Sequence, residues 1–518
     1  MRRRDFLRTA TASGVAGTGI AAGPRPAAAT EPVPARAGET ATAGTGAVAV
    51  PPPTRLVADY SAADHRDRLR AIAHGTATIR DCLRRHLVTN YHPAQCCYNL
   101  GEYPATRPWD PGEEDEAELD RLAALGVEVL QVFDDWNDSL RLFGGDKYSP
   151  VNREGYHRFL AMARARGFKV LTYVSPCFLQ RTDPDFDPAW SRPGDFLVVG
   201  YWNMARCSPA SPGWRAFVLR KIARVIDEWG TDGIYVDGGY LMNRHAAKRA
   251  MPPAADEIPA FTETPEEDGA FADLLALIHA DVKRRGGILK LHVDGVDAPR
   301  TDLVTYDYLW VGEGVANADA LREAVKDHPP YVVPCLDMGF TSLESIDEPY
   351  LHSIPFMQFP VAFGGRIFTG ERGFVPGVTY RDDFWLERCR DARAIHEKDP
   401  SALHTYSAWD EVPGSPRTRE RWGEWLARYR PLVEEGSRVW LGIRDSDLFA
   451  APLPADVVAS AFANRRFRLV LANHGRTPAE VATAEPWLRD DAPGPTATRF
   501  TLSPRSLLIL ERPLNPAR

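Results

Sequence analysis

Residues 214–237 read WRAFVLRKIARVIDEWGTDGIYVD, and this stretch decides the fold. Phe217, Ile222, Val225, Ile226 and Trp229 recur at helical spacing, Gly230 stands where a helix ends, and residues 233–236 form a short apolar run. A helix that hands over within three residues to an apolar strand is one repeat of a parallel sheet, whose strands are covered on both faces. That strand delivers a carboxylate, Asp237, at its tip.

The same alternation continues in both directions. Short apolar runs at 127–133, 169–174, 233–237, 288–293, 303–308, 331–336 and 355–362 predict seven strands, and 95–100 supplies an eighth. Helical patterns at 114–125, 268–285 and 318–327 fall between them. The fold class is α/β: eight βα units predict a (β/α)8 TIM barrel. No strand is followed by the Gly-x-Gly-x-x-Gly turn that a doubly wound sheet often carries. Beyond a helix expected at 381–396 and a helical linker, the texture changes at Arg438. Strands at 439–443, 457–462, 467–471, 498–502 and 506–510, separated by Asn473-His474-Gly475 and proline-rich turns, predict a C-terminal antiparallel β-sandwich domain. The barrel with its flanking helices is thus expected over residues 54–433 and the sandwich over 434–518.

The N-terminus is a different kind of sequence. Residues 1–29 carry Arg2-Arg3-Arg4-Asp5-Phe6-Leu7, a weakly apolar stretch and Ala27-Ala28-Ala29, in the order of a twin-arginine signal peptide. Residues 30–53, almost free of large apolar side chains, form a flexible linker. The expected location is extracellular or periplasmic after twin-arginine export. The apolar stretch is too weak for a membrane span, so none is expected once the signal is removed.

The 518 residues hold 62 Lys and Arg against 70 Asp and Glu, a net charge of −8 that argues against a nucleic-acid partner. The seven cysteines include no C-x-x-C spacing and are read mainly as buried packing.

In a (β/α)8 barrel the active site forms at the C-terminal ends of the strands. Here those ends are loaded with acids: Asp134-Asp135-Trp136 after strand two, Asp237 after strand four, His292 and Asp294 on strand five, Asp307, Trp310 and Glu313 around strand six, and Asp337 after strand seven. Asp134 and Asp135 suit sugar hydroxyls, with Trp136 and Trp310 as stacking surfaces and Arg206 as a further substrate contact. Two carboxylates across a cleft are what glycosidic cleavage requires. Asp237 is expected to be catalytic, and Glu313 and Asp307 compete for the acid/base role, with Glu313 favoured by its Gly-flanked position near Trp310. The expected partner is a carbohydrate, and no cofactor is expected. His292 and Asp294 with Asp237 are the best candidates for a metal, but no His-x-x-x-His pair accompanies them and no metal is expected. No Gly-x-Ser-x-Gly elbow occurs in a strand-turn-helix context, and Cys207 has no evident His partner as nucleophile.

These motifs resemble the clan of retaining α-galactosidases and α-glucosidases. The resemblance rests on Leu125-Gly126 leading to Asp134-Asp135-Trp136, on Gly167-Phe168-Lys169-Val170, and on residues 232–237. It implies that Asp237 is the nucleophile, that a strand-six carboxylate is the acid/base, and that Lys169 joins the substrate-binding residues. Tyr235 stands where the α-galactosidases have Lys and the α-glucosidases usually have Trp, so the resemblance leaves the sugar open. The competing readings are a carbohydrate-binding barrel without turnover and a metal-dependent polysaccharide-modifying enzyme.

Overall fold

A computed structural model describes residues 60–101, 108–199, 202–237, 265–293, 304–312, 317–326, 328, 331–335, 345–366, 416–491 and 494–512. Helix α1 (Ala62–Thr78) starts in a capping box, in which Ser61 and Asp64 each accept the other's backbone N–H. It leads into β1 (Ile79–Leu87).

The barrel follows. Its strands and helices are β2 (Gln95–Asn99), α2 (Glu113–Ala124), β3 (Val129–Val132), α3 (Arg153–Ala165) and β4 (Lys169–Val174). An insertion then forms β5 (Phe178–Gln180), β6 (Ser191–Val199) and β7 (Trp202–Cys207), a small antiparallel sheet of order β5-β7-β6. The barrel resumes with α4 (Pro212–Trp229), β8 (Gly233–Val236), α5 (Pro265–Arg284), β9 (Ile288–Val293), β10 (Tyr308–Val311), α6 (Ala318–Val325), β11 (Tyr331–Pro334), α7 (Glu348–Ser353) and β12 (Ala362–Gly365).

The eight parallel strands run in the order β11-β10-β9-β8-β4-β3-β2-β12, and the Val361 N–H donates to the Pro334 carbonyl at 2.9 Å across the two ends. The decisive βα unit is as read. Gly230 ends α4 in the left-handed conformation at φ +69°, and every residue of β8 is buried. Gly233 has no room for a side chain, because a Cβ there would sit 2.1 Å from the Ile288 carbonyl.

Two strand positions differ from expectation. Residues 354–356 form a 3-10 turn that ends at Met357 with φ +58°, so the eighth strand begins only at Ala362. The sixth strand begins at Tyr308, not at Leu303, and this displacement decides the role of Asp307. The helix expected at 381–396 lies outside the described residues.

After α8 (Pro416–Tyr429) the chain enters β13 (Arg438–Ser446), β14 (Val457–Ala463), β15 (Phe467–Asn473), β16 (Ala479–Arg489), β17 (Ala497–Leu502) and β18 (Ser506–Glu511). With β1 they form an antiparallel sheet of order β1-β13-β14-β15-β18-β16-β17. Strand alternation gives the sheet two buried faces. Val439, Leu441, Phe462, Val470 and Ile509 join the barrel's core, while Trp440, Leu469, Leu471, Leu508 and Leu510 pack with Ala71 of α1 and with Val481 and Phe500 of β16 and β17. The boundary drawn at 433 therefore misplaces the segment from α1 to β1, which belongs to the C-terminal sheet. Five cysteines, Cys96, Cys97, Cys177, Cys207 and Cys335, are fully buried.

Candidate active site

The two ends of the barrel use carboxylates differently. Asp232 and Asp307 each precede a strand by one residue and make the same pattern. The Asp232 N–H donates to the Val170 carbonyl at 3.0 Å while Oδ2 accepts from Val170 N–H at 3.0 Å. The Asp307 N–H donates to the Leu289 carbonyl and Oδ2 accepts from Leu289 N–H, both at 2.8 Å. Both acids are pins at the N-terminal end, and Asp307 is also bound by Lys283 at 2.9 Å. The expectation of Asp307 as acid/base is corrected on this ground: it lies at the opposite end of its strand from Asp237. Lys169 is corrected likewise. It is the first residue of β4, with its N–H on the Glu128 carbonyl at 2.9 Å, so it too stands at the N-terminal end.

At the C-terminal end, Asp237 follows β8 directly and its N–H donates to the Val174 carbonyl at 2.9 Å. Its side chain keeps 22% exposure, whereas that of His292 on β9 keeps 3%. Asp237 Oδ1 lies 3.0 Å and the Tyr235 hydroxyl 2.7 Å from His292 Nδ1. An ionised Asp237 therefore requires the proton on Nδ1, shared between the carboxylate and the phenolic oxygen. The Trp310 ring meets the His292 ring edge to face at 4.2 Å, and Tyr235 packs among Phe133, Tyr173 and Trp310 at 6.0 Å from each. Trp310 is fully buried, so it braces the histidine and offers no open face for a sugar.

Three of the other expected binding residues turn out to be structural. Trp136 is fully buried, packs on Tyr156 of α3, and donates from Nε1 to the Tyr173 carbonyl at 3.0 Å. Asp135 is fully buried, and its Oδ2 accepts from Leu100 N–H at 2.6 Å and Gly101 N–H at 3.1 Å, closing the end of β2. Burial pushes the Asp135 carboxyl up to about 7, because so little solvent reaches the charged form. Arg206, on β7, is buried and engaged by Glu267 of α5 at 3.3 Å, a carboxylate that Arg192 also reaches at 3.0 Å. Asp134, two residues beyond β3, is buried as well.

Glu313, Asp294 and Asp337 lie outside the described residues. Gly312, the residue before Glu313, has φ +143°, and a Cβ there would sit 2.0 Å from the Cys335 carbonyl.

One residue of the site was missed. Residues 137–151 form a loop held from within: Asn137 pairs with Pro150, and the Asp138 carboxylate accepts from Leu142, Phe143 and Gly145 N–H at 2.7, 2.9 and 2.8 Å. The loop is also held from outside. Asp146 accepts from Lys221 of α4 at 2.6 Å, and the Tyr148 hydroxyl donates to the Ser175 carbonyl at 2.9 Å. Between these anchors Lys147 is carried into the interior, with Nζ donating to the Phe178 carbonyl at 2.6 Å. Burial pushes the ammonium down to about 8 against the pull of Asp134, Cys207, Asp237 and Cys177. In sequence Lys147 sits among Gly144, Gly145 and Asp146 and reads as a solvated loop.

Fold and site together define a (β/α)8 barrel with a carboxylate-bearing C-terminal face and an antiparallel C-terminal domain. Several solved structures are similar to the chain. A trehalulose synthase MutB variant from crystals soaked with trehalulose is 12% identical with a TM-score of 0.50, the match covering 81% of this chain and 99% of that one. An inactive double mutant of MutB gives the same values. The maltogenic α-amylase AmyB of Thermotoga neapolitana is 11% identical with a TM-score of 0.47, covering 82% and 100%. At this identity the likeness is one of fold. No model of a protein family matches the chain, and no curated protein does.

Proposed function

We propose that this protein is an exported glycoside hydrolase that cleaves a glycosidic bond with retention. The observation that carries the reading is Asp237: a half-buried carboxylate at the tip of a central strand, held by His292 on the next strand, at the barrel face where substrates are met. The fold-level likeness to sugar-converting enzymes supports it.

The steps follow from retaining chemistry. An Asp237 oxygen attacks the anomeric carbon as the bond to the leaving oxygen breaks, and an acid, assigned to Glu313, gives that oxygen its proton. The resulting carboxylate then takes a proton from water, whose oxygen attacks the same carbon and frees Asp237. The contact with His292 Nδ1 holds the attacking carboxylate in one rotamer. Export rests on the twin-arginine pattern of residues 1–29.

Hydrolysis of a panel of aryl α- and β-glycosides by the mature chain and by Asp237→Asn, with NMR of the first-formed anomer, tests the reading. Turnover with retained configuration in the wild type, and a loss of at least about 10³-fold in the variant, is expected. Full activity in Asp237→Asn would remove the nucleophile assignment. Sugar binding without turnover would favour a carbohydrate-binding barrel.

A further inference from the structure

Tyr235 on β8 and Asp237 at its tip are two residues apart, the spacing that puts side chains on one face of a strand. The next strand brings His292 to them: Val236 pairs with Leu291, and Asp237 and His292 follow directly on the two strands. Both side chains meet the histidine at one atom. The Tyr235 hydroxyl oxygen lies 2.7 Å and Asp237 Oδ1 3.0 Å from Nδ1. An imidazole nitrogen has one in-plane position for a proton, so the two oxygens share the Nδ1–H, and the ionised carboxylate, the stronger acceptor, takes the larger part.

The rings around this contact are held in place. Tyr235 and His292 lie 5.9 Å apart at 19°, Trp310 closes on the histidine at 4.2 Å, and Tyr235 is fully buried. The phenolic oxygen is therefore a fixed neighbour of Nδ1 whatever the carboxylate does. Attack changes what that carboxylate can accept. An Asp237 oxygen gives an electron pair to the anomeric carbon, the leaving oxygen departs with its bonding pair and takes a proton from the acid, and Asp237 becomes a neutral ester. An ester oxygen is a weaker acceptor than a carboxylate, and a buried N–H that loses its acceptor costs free energy.

We propose that Tyr235 is a positioning residue of this site, the second acceptor that takes over the His292 Nδ1–H as Asp237 loses its charge to the sugar. The inference rests on the reading of Asp237 as nucleophile. It separates two tasks: His292 holds the carboxylate before attack, and Tyr235 holds His292 during it. The benefit arises only as the new bond forms, so it acts on the rate of attack and not on the binding of sugar.

Tyr235→Phe removes the hydroxyl and keeps the ring. On the best aryl glycoside it is expected to lower kcat/KM roughly 5- to 50-fold, while the inhibition constant of the matching thio-linked glycoside, bound but not cleaved, stays within about twofold. In a His292→Asn background the same change is expected to cost less than about twofold, since the group it serves is gone. Wild-type kcat/KM in a folded Tyr235→Phe overturns the proposal. So does a loss explained by weaker inhibitor binding, or one undiminished in the His292→Asn background. Should Tyr235→Phe fail to fold, or no glycoside be turned over, nitrogen-15 NMR of histidine-labelled wild type decides without substrate, with His292→Asn assigning the resonance. A proton on Nδ1 at neutral pH is expected, and a bare Nδ1 accepting from the phenol overturns the proposal. Intact hydrolysis in Asp237→Asn would sink the nucleophile assignment itself, whereas a large loss there beside normal turnover in Tyr235→Phe sinks only the role of the tyrosine.

Discussion

At the scale of single residues, the contact of Asp237 with His292 is worth testing apart from the nucleophile itself. His292→Asn keeps a polar side chain but does not reach the carboxylate in the same geometry, so Asp237 gains rotamers that do not face the anomeric carbon. The expected result is a loss of roughly 10- to 100-fold in kcat with little change in KM, measured on the best aryl glycoside. Asp135 gives a prediction in stability. Its carboxyl titrates at about 7 when folded against 3.8 as the free side chain, so the folded state binds more protons between those values. The contribution of Asp135 to stability is therefore greatest below about pH 4 and falls as pH rises through 7. Asp135→Asn keeps an oxygen for the Leu100 and Gly101 N–H groups and cannot ionise. Urea titrations at pH 4.5 and 7.5 should show the variant gaining roughly 2–4 kcal/mol on wild type at the higher pH. A constant difference between the two pH values would exclude an ionising Asp135.

At the scale of elements, the displaced start of β10 shows why one acid was misread. Asp307 lies five residues after Asp302 as Asp237 lies five after Asp232, and spacing alone makes the pairs look alike. The hydrogen bonds show that Asp307 corresponds to Asp232, which places Gly312 in the position of Asp237. Asp307→Ala should cost stability and leave kcat/KM of the folded enzyme within about twofold, since the change touches the far end of the barrel. Trp136→Ala should cost roughly 3–5 kcal/mol in thermal or urea unfolding, as a buried Trp and its hydrogen bond to Tyr173 are both removed. The repeating units were legible because a fully buried strand needs an unbroken apolar run and a glycine marks the end of α4. Lys147 was not legible, because its burial comes from a loop whose anchors, Lys221 and Ser175, are distant in sequence. Trp136 was misassigned for a related reason: an aromatic beside two carboxylates looks the same in sequence whether it faces a cleft or a helix.

At the scale of the whole molecule, the segment from α1 to β1 and the C-terminal strands share one structural unit. Ile79 to Leu87 pair antiparallel with β13 down to the Leu87–Arg438 pair, and α1 lies against the same sheet, where Gly75 comes so close that a Cβ would meet the Trp440 ring at 2.6 Å. Removing residues 1–88 would uncover the edge of β13 and the apolar face around Trp440. Such a chain is expected to be recovered as aggregate, as judged by size-exclusion chromatography. Removal of residues 1–53 should leave a monodisperse protein with unchanged unfolding temperature.

The pairing of β1 with β13 also sets an order of events. The first segment of the folded part to be synthesised cannot find its partner until nearly all of the chain exists, since the strand it needs begins at Arg438. The barrel's own neighbouring strands can associate earlier, but the seven-stranded sheet closes only at the end. Until then α1 and β1 present an unfilled apolar face and an unpaired edge. A chain built this way gains from being finished before it is moved, and an export route that accepts completed, folded cargo would spare it from refolding on the far side.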